Sequence, residues 1–132
     1  MTELDLVEAG RGAIFDALAA ALPDLLVRDH LEQDTQPDYL LIGELEWDNQ
    51  GSKDDPLLAL TVELIHVYRG GDRPVMLGRM HAAFVALEGE ALQAGEAIVH
   101  SLHLEGGSAS SAGADGVTYA GLQSFSCFVQ PA

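Results

Sequence analysis

Residues 37–71 read PDYLLIGELEWDNQGSKDDPLLALTVELIHVYRGG. Two extended apolar runs flank a polar connection, and the second run stops at Gly70-Gly71. In the first run, Tyr39 to Trp47, alternation predicts a strand with Leu41, Gly43, Leu45 and Trp47 on one side. Leu40, Ile42, Glu44 and Glu46 fall on the other, which starts apolar and turns acidic, as a strand does on leaving a core. DNQGSKDDP is dense in turn formers and predicts a flexible hairpin loop. Leu57 to Arg69 predicts a long strand, with Leu58, Leu60, Val62, Leu64, His66 and Tyr68 on one face and Thr61, Glu63 and Arg69 on the other.

Upstream, Thr2 with Asp5 three residues on matches a capping box, and Glu3, Asp5 and Glu8 suit the positive end of a helix. Leu4, Val7, Ile14, Leu18 and Leu22 then fall near one helical face, and Pro23 closes the segment. Gly10 and Gly12 weaken that helix, each by up to about 1 kcal/mol relative to Ala, so its first turns fray or pack closely on a neighbour. Leu25 to Arg28 predicts a short strand, followed by an acidic loop to Pro37. Downstream, Asp72 is a natural N-cap with Pro74 in the first turn, and Met76, Leu77, Met80, Phe84 and Leu87 trace a core-facing helical stripe.

The last third predicts two more strands. From Ala97 to Glu105, Ile98, His100, Leu102 and Leu104 alternate with Val99, Ser101, His103 and Glu105. Residues 106–116, GGSASSAGADG, have almost no apolar anchoring and predict a mobile connection. Val117 to Gln130 is the final strand, with Val117, Tyr119, Phe125, Cys127 and Val129 on one side and Leu122 and Phe128 on the other. The order predicts an α+β fold: one mainly antiparallel β-sheet with an N-terminal helix and a middle helix packed on one face. Residues 1–132 form one domain, without an internal repeat.

The charge balance excludes several functions. The chain carries 21 acidic residues against six basic ones, Arg11, Arg28, Lys53, Arg69, Arg73 and Arg79. It therefore cannot present the row of bases that displaces phosphate counterions, and no specific nucleic-acid binding is expected. Ten of the acids lie between Asp24 and Asp55, a solvated, self-repelling face or one set near a polyanion that slides past. No apolar run approaches the roughly 20 residues of a membrane span. The acidic MTELDLVEAG start is unlike a secretory signal, and the lone Cys127 in SFSCFV is expected to be a buried, inert thiol. A reducing cytoplasm is the expected place of folding.

Chemistry-bearing patterns are sparse. His100 and His103 sit three apart on a strand, on opposite faces, and Glu63 and His66 share that arrangement. Glu44/Glu46 and Asp54/Asp55 are paired acids, one pair on a strand emerging to solvent and the other in a loop. Gly10-Arg11-Gly12 and Gly70-Gly71 lack the strand–GxGxxG–helix context of a nucleotide site, and no Ser, Cys or Lys sits in a nucleophile motif. No catalytic, cofactor or metal residues are assigned.

The block order is similar to that of the tail-terminator or tail-completion proteins of long-tailed bacteriophages and gene transfer agents. The residues that carry the resemblance are Pro37, Tyr39, Ile42, Gly43 and Glu44, then Tyr68-Arg69-Gly70-Gly71, then a helix with Ala82, Ala83, Ala86 and Leu87, and two closing strands. It spans roughly residues 3–130; order and spacing carry it rather than any single motif. Many relatives have Trp where this chain has Tyr68, and the 106–116 connection is softer than the pattern.

The resemblance implies a non-enzymatic virion protein: a sixfold homo-oligomeric ring capping the tail tube and meeting the neck or head-completion protein, with DNA passing through. It would act in the virion tail, and in the host cytoplasm before assembly. Other readings are a different neck, head-completion or tail-tube-like protein and, in a separate class, a small enzyme or ligand-binding domain. Arg69 and Arg73, at the strand-to-helix corner, are expected to meet carboxylates of a neighbouring copy in the acidic 44–55 stretch, Glu44, Glu46, Asp48, Asp54 and Asp55, with Trp47 in the same interface. The competing expectation is an intrachain surface pair of little energetic value.

Overall fold

The computed structural model describes residues 1–132 as two helices over one face of a six-stranded sheet. The elements are α1 (Glu3–Ala21), β1 (Leu26–Arg28), β2 (Tyr39–Asn49), β3 (Leu58–Arg69), α2 (Arg73–Leu87), β4 (Leu92–Ala94), β5 (Ala97–Ala109) and β6 (Thr118–Pro131). The sheet order is β1-β2-β3-β6-β5-β4, antiparallel except for the β1–β2 pair. The expected α+β class and single helical layer are what is found; β4 is an additional edge strand.

The capping box forms as read: Thr2 Oγ1 accepts from Asp5 N, and the Asp5 carboxylate accepts from Thr2 N. Leu6, Ile14 and Leu18 are fully buried, contributing about 1.5–3 kcal/mol each. Leu4 is not on the buried face. At about 100° per residue, Leu4 and Leu22 lie on a shoulder of the stripe centred on Val7, Ile14 and Leu18, and Leu4 is 67% exposed. Gly10 is where α1 meets the sheet. A Cβ there would lie 2.9 Å from Leu60 Cδ2 and 3.0 Å from Val129 Cγ2, so the close-packing reading holds rather than fraying.

β3 is the central strand, and its alternation is as read: Leu58, Leu60, Val62, Leu64, His66 and Tyr68 are buried under the helices. In β2 the register against β3 shifts between Ile42 and Leu45, so Gly43 and Glu44 together oppose Glu63. That bulge reverses the facing. Leu40 and Ile42 before it and Leu45 after it all turn to the core, a correction to the uninterrupted alternation expected of Tyr39 to Trp47. A second bulge at Ser101, where φ is +57°, likewise puts Val99 and Leu102 on the same buried side.

In α2, Asp72 occupies the N-cap position without a side-chain cap bond, and Met76, Met80, Ala83 and Leu87 are buried. Leu77 is 44% exposed, so it does not belong to the core stripe. Residues 106–109 are not part of a loose connection. They continue β5 and pair with residues 121–124 of β6, leaving only 110–117 as the turn.

Candidate functional site

The expected site residues separate into two regions. The first is the free end of the β2–β3 hairpin. Past the bulge, Glu44 and Glu46 point to the sheet face opposite the helices, where with Thr61, Glu63 and Ser124 they line a depression of about 120 Å³. That is far below the 300–1,000 Å³ of an ordinary ligand pocket. It brings three carboxylates together with no base beside them, and Glu105 lies one strand further on, accepting from Ser126 Oγ at 2.5 Å.

Trp47 points to the other face, with Leu45, and is 44% exposed beyond the core. The first turn of α1 lies beside this end: Met1, Thr2 and Glu3 share a hollow with Asn49, Lys53 and Pro56. Asp48, Asp54 and Asp55 are exposed around it. The loop has a definite shape, because Asn49 Oδ1 accepts from Gly51 N at 2.9 Å and from Leu57 N at 3.3 Å. A Cβ on Gly51 would fall 2.3 Å from the Asp55 carbonyl oxygen, so only glycine fits.

The second region is the corner at Gly70-Gly71. Arg69 Nε donates to Thr118 Oγ1 at 3.4 Å and its guanidinium to Gln36 Oε1 at 3.3 Å. Arg73 donates to the Ser110 carbonyl at 3.0 Å and lies 5.9 Å from the Tyr119 ring centroid. Neither is paired with a carboxylate of its own chain, so the expected intrachain ion pair is absent. The pair at this corner belongs to Arg79, which sequence reasoning passed over: it binds Asp38 at 2.7 Å and sits 5.6 Å over the Tyr68 ring. Asp38 also accepts from Arg69 N at 2.8 Å. Asp115 accepts from the Thr118 hydroxyl and from the backbone N–H of Val117 and Thr118; these bonds hold its pKa at about 2, and it stays ionised near Arg69.

β3 runs between them, and the eleven steps from Leu58 to Arg69, at about 3.3 Å each, put the hairpin loop roughly 36 Å from the corner. Arg69 and Arg73 therefore cannot reach Asp48, Asp54 or Asp55 within one chain.

Two buried polar side chains, His66 and Gln123, lie between. His66 on β3 is 2% exposed, and its Nε2 is 2.7 Å from Gln123 Oε1. Because Gln123 Nε2 donates to the Met80 carbonyl at 2.9 Å, its Oε1 must accept, so His66 carries its proton on Nε2. Nδ1 is then a bare acceptor without a partner, and burial lowers the His66 pKa. The bulge at Ser101 puts His100 and His103 on the same side of β5 rather than on the opposite faces expected, and they have separate partners, Gln130 at 3.0 Å and Glu88 at 2.8 Å. Cys127 is buried, and desolvation pushes its thiol up to about 12. A surface hollow of about 460 Å³ beside residues 26–35 has two apolar residues among its seven, unlike the mostly apolar lining of ligand sites. No helix is long and apolar enough to cross a membrane.

No protein-family model matches the chain, and no curated protein matches it by sequence. Among solved structures, the fold is shared with a chain of the virion of a native gene transfer agent particle. The TM-score is 0.78 over 95% of this chain and 97% of that one, at 14% sequence identity.

Proposed function

We propose that this chain is a structural protein of a phage-like or gene-transfer-agent virion, in the tail-terminator role: a ring of copies that caps the tail tube and meets the neck. The observation that carries the reading is the end-to-end match of fold with a chain of a gene transfer agent particle, with nothing large left over on either side. The order of blocks in residues 3–130 supports the terminator role within that class.

The charge layout supports a ring around DNA. The middle of the uncovered sheet face holds Glu44, Glu46 and Glu63 and no base, so a passing duplex would find no phosphate anchor there. Arg69 and Arg73, neither in a side-chain salt bridge of its own chain, and the acidic hairpin end lie at opposite ends of one strand. That is the arrangement of a heterologous contact, in which one patch docks on a different patch of the next copy and rotation closes the circle. The free energy of such an assembly comes from buried interface, and no catalytic step is required.

The test is deletion of the gene in its producing host, with electron microscopy of the particles. Tails of uncontrolled length, without heads, support the terminator role. Tails of normal length that fail to join heads favour a neck protein, and unaltered particles refute a virion role. Charge reversal refines the answer. Arg69→Glu or Arg73→Glu should block tail assembly while moving monomer stability by less than about 1 kcal/mol. Normal assembly, or a loss only in step with stability, makes the corner structural.

A further inference from the structure

The outer side of α2 is unlike the rest of the surface. In a chain with 21 acids, its fifteen residues contain none, and its only charges are Arg73 and Arg79. Opposite the buried Met76, Met80, Ala83 and Leu87 runs a continuous stripe of Pro74, Leu77, Gly78, His81 and Val85. Leu77 is 44% and Val85 59% exposed, and Val75 on the flank is 40% exposed. A helix covering one face of a sheet ordinarily shows charge to solvent; one apolar on both sides is ordinarily buried on both.

Gly78 adds to this. A Cβ there would meet nothing within 4 Å, so the single chain has no steric use for glycine at a mid-helix position where Ala is better by about 1 kcal/mol. A missing side chain on an outward helical stripe lets another backbone or ring approach closely.

The complementary surface is the hairpin end. Trp47 is 44% exposed there and Met1, beside it, 46%; around them lie Glu3, Asp48, Asp54 and Asp55, with Lys53 the one base. α2 makes no contact with β2 in the single chain. Each copy thus carries an acid-free apolar helix face with Arg73 at its start, Arg79 being paired with Asp38, and a second surface with four carboxylates to one lysine at the far end of β3.

We infer that the outer face of α2 is a docking surface for a second copy of this chain, and that it receives the acid-rimmed end bearing Trp47. The inference rests on the ring reading and supplies its apolar centre. Trp47 is the anchor and packs over Gly78 between Leu77 and Val85. Arg73, at the start of the same helix, engages carboxylates of the incoming hairpin. Aromatic residues and arginine dominate the energetics of such interfaces, and a like-charged rim would forbid the reverse pairing.

Sedimentation velocity on the full chain, over a range of concentration and salt, tests it. Val85→Glu removes the receiving surface, Trp47→Ala removes the anchor, and both sites are exposed enough that the monomer's melting temperature should hold. Each variant alone should associate about thirtyfold or more weakly than the parent chain, the loss typical of a removed anchor. Mixed, they should form a one-to-one dimer that grows no further, because each retains the surface the other lacks. Val85→Ser, without the added charge, should show the same direction if Val85→Glu disturbs folding.

Variants that assemble as the parent does overturn the docking inference and leave the ring reading intact. A parent chain that forms only a closed, two-fold dimer overturns the ring reading itself. A parent chain that stays monomeric at every concentration and salt, with Val85 protected only when another virion protein is added, assigns the α2 face to that protein and overturns the inference. The deletion phenotype reports the virion role separately in each case.

Discussion

Gly78 allows the stability of the single chain to be read apart from the proposed association of copies. Replacing it with Gln puts a good helix former at an exposed mid-helix position with open space around the new Cβ. The propensity gain is about 0.5–0.8 kcal/mol. For a chain of 132 residues the unfolding entropy is about 0.28 kcal/mol per kelvin, so Tm should rise by roughly 2–3 °C. The assay is a circular dichroism melt at low salt and low concentration, where fifteen net negative charges keep copies apart.

The same variant in the sedimentation experiment should associate less well than the parent, since the glutamine side chain fills the space Trp47 needs. Gly12→Ala is the control. Gly12 also has nothing within 4 Å, and it should raise Tm by a similar amount without touching association. A fall in Tm for Gly78→Gln refutes the open surroundings of that position. A rise in Tm with association unchanged refutes the burial of α2 between copies.

Three further outcomes are expected. Protein stability should fall as pH drops from 7 to 5, in part because His66 is buried neutral and its pKa lies below the ordinary 6.5. The unfolded chain then binds the proton first, so this contribution is whole above about 6.5 and is lost on acidification; His66→Phe should flatten the slope in denaturant titrations, and an unchanged slope sinks the assignment. Gly51→Ala should destabilise the protein by about 1–3 kcal/mol, read by urea unfolding, because the new Cβ meets the Asp55 carbonyl oxygen at 2.3 Å and backbone cannot step aside cheaply; a neutral effect means the loop takes another shape. Amide exchange in the free protein should be fast at residues 111–115 and markedly slower at 106–109, which lie in the β5–β6 ladder; uniform fast exchange over 106–116 contradicts that pairing.

Much of this fold was readable because β3 alternates without interruption from Leu58 to Tyr68, and one fully periodic central strand sets the facing of its neighbours. Reading failed where phase is lost. A bulge inserts one residue, and period-two reasoning then assigns every later side chain to the wrong face. Leu45 and Leu102 were misplaced for this reason. Gly43 was the available signal, since a Cβ there would lie 2.9 Å from both Glu63 Oε1 and Ile65 Cδ1.

Leu77 was drawn into the core because an apolar helix offers no polar face by which to orient it. The acidic hairpin and the two arginines were legible as charges, but their separation was not, because it depends on which end of β3 each occupies. The grouping of Glu63 with Glu44 and Glu46 needs the cross-strand register, and the Arg79–Asp38 pair needs α2 placed beside the segment that leads into β2; neither is local in sequence.

The two borders of the sheet are finished differently. Along β5, Ala97 to Val99 pair with β4, and the end of α2 closes the next stretch: Gly89 N donates to the Leu102 carbonyl and the Glu88 carboxylate accepts from Leu104 N at 2.7 Å. Along β2, β1 covers only Tyr39 to Leu41, and the remainder to Asn49 has an open backbone edge. An open edge invites ladder growth from chain to chain and, with it, fibrils. Here the bulge at Gly43-Glu44 breaks the donor–acceptor spacing, and Glu44, Glu46 and Asp48 would stack like charge on like charge in any added strand. Copies of this protein can therefore accumulate without zipping together through their backbones, and the docking proposed between them would rest on side chains.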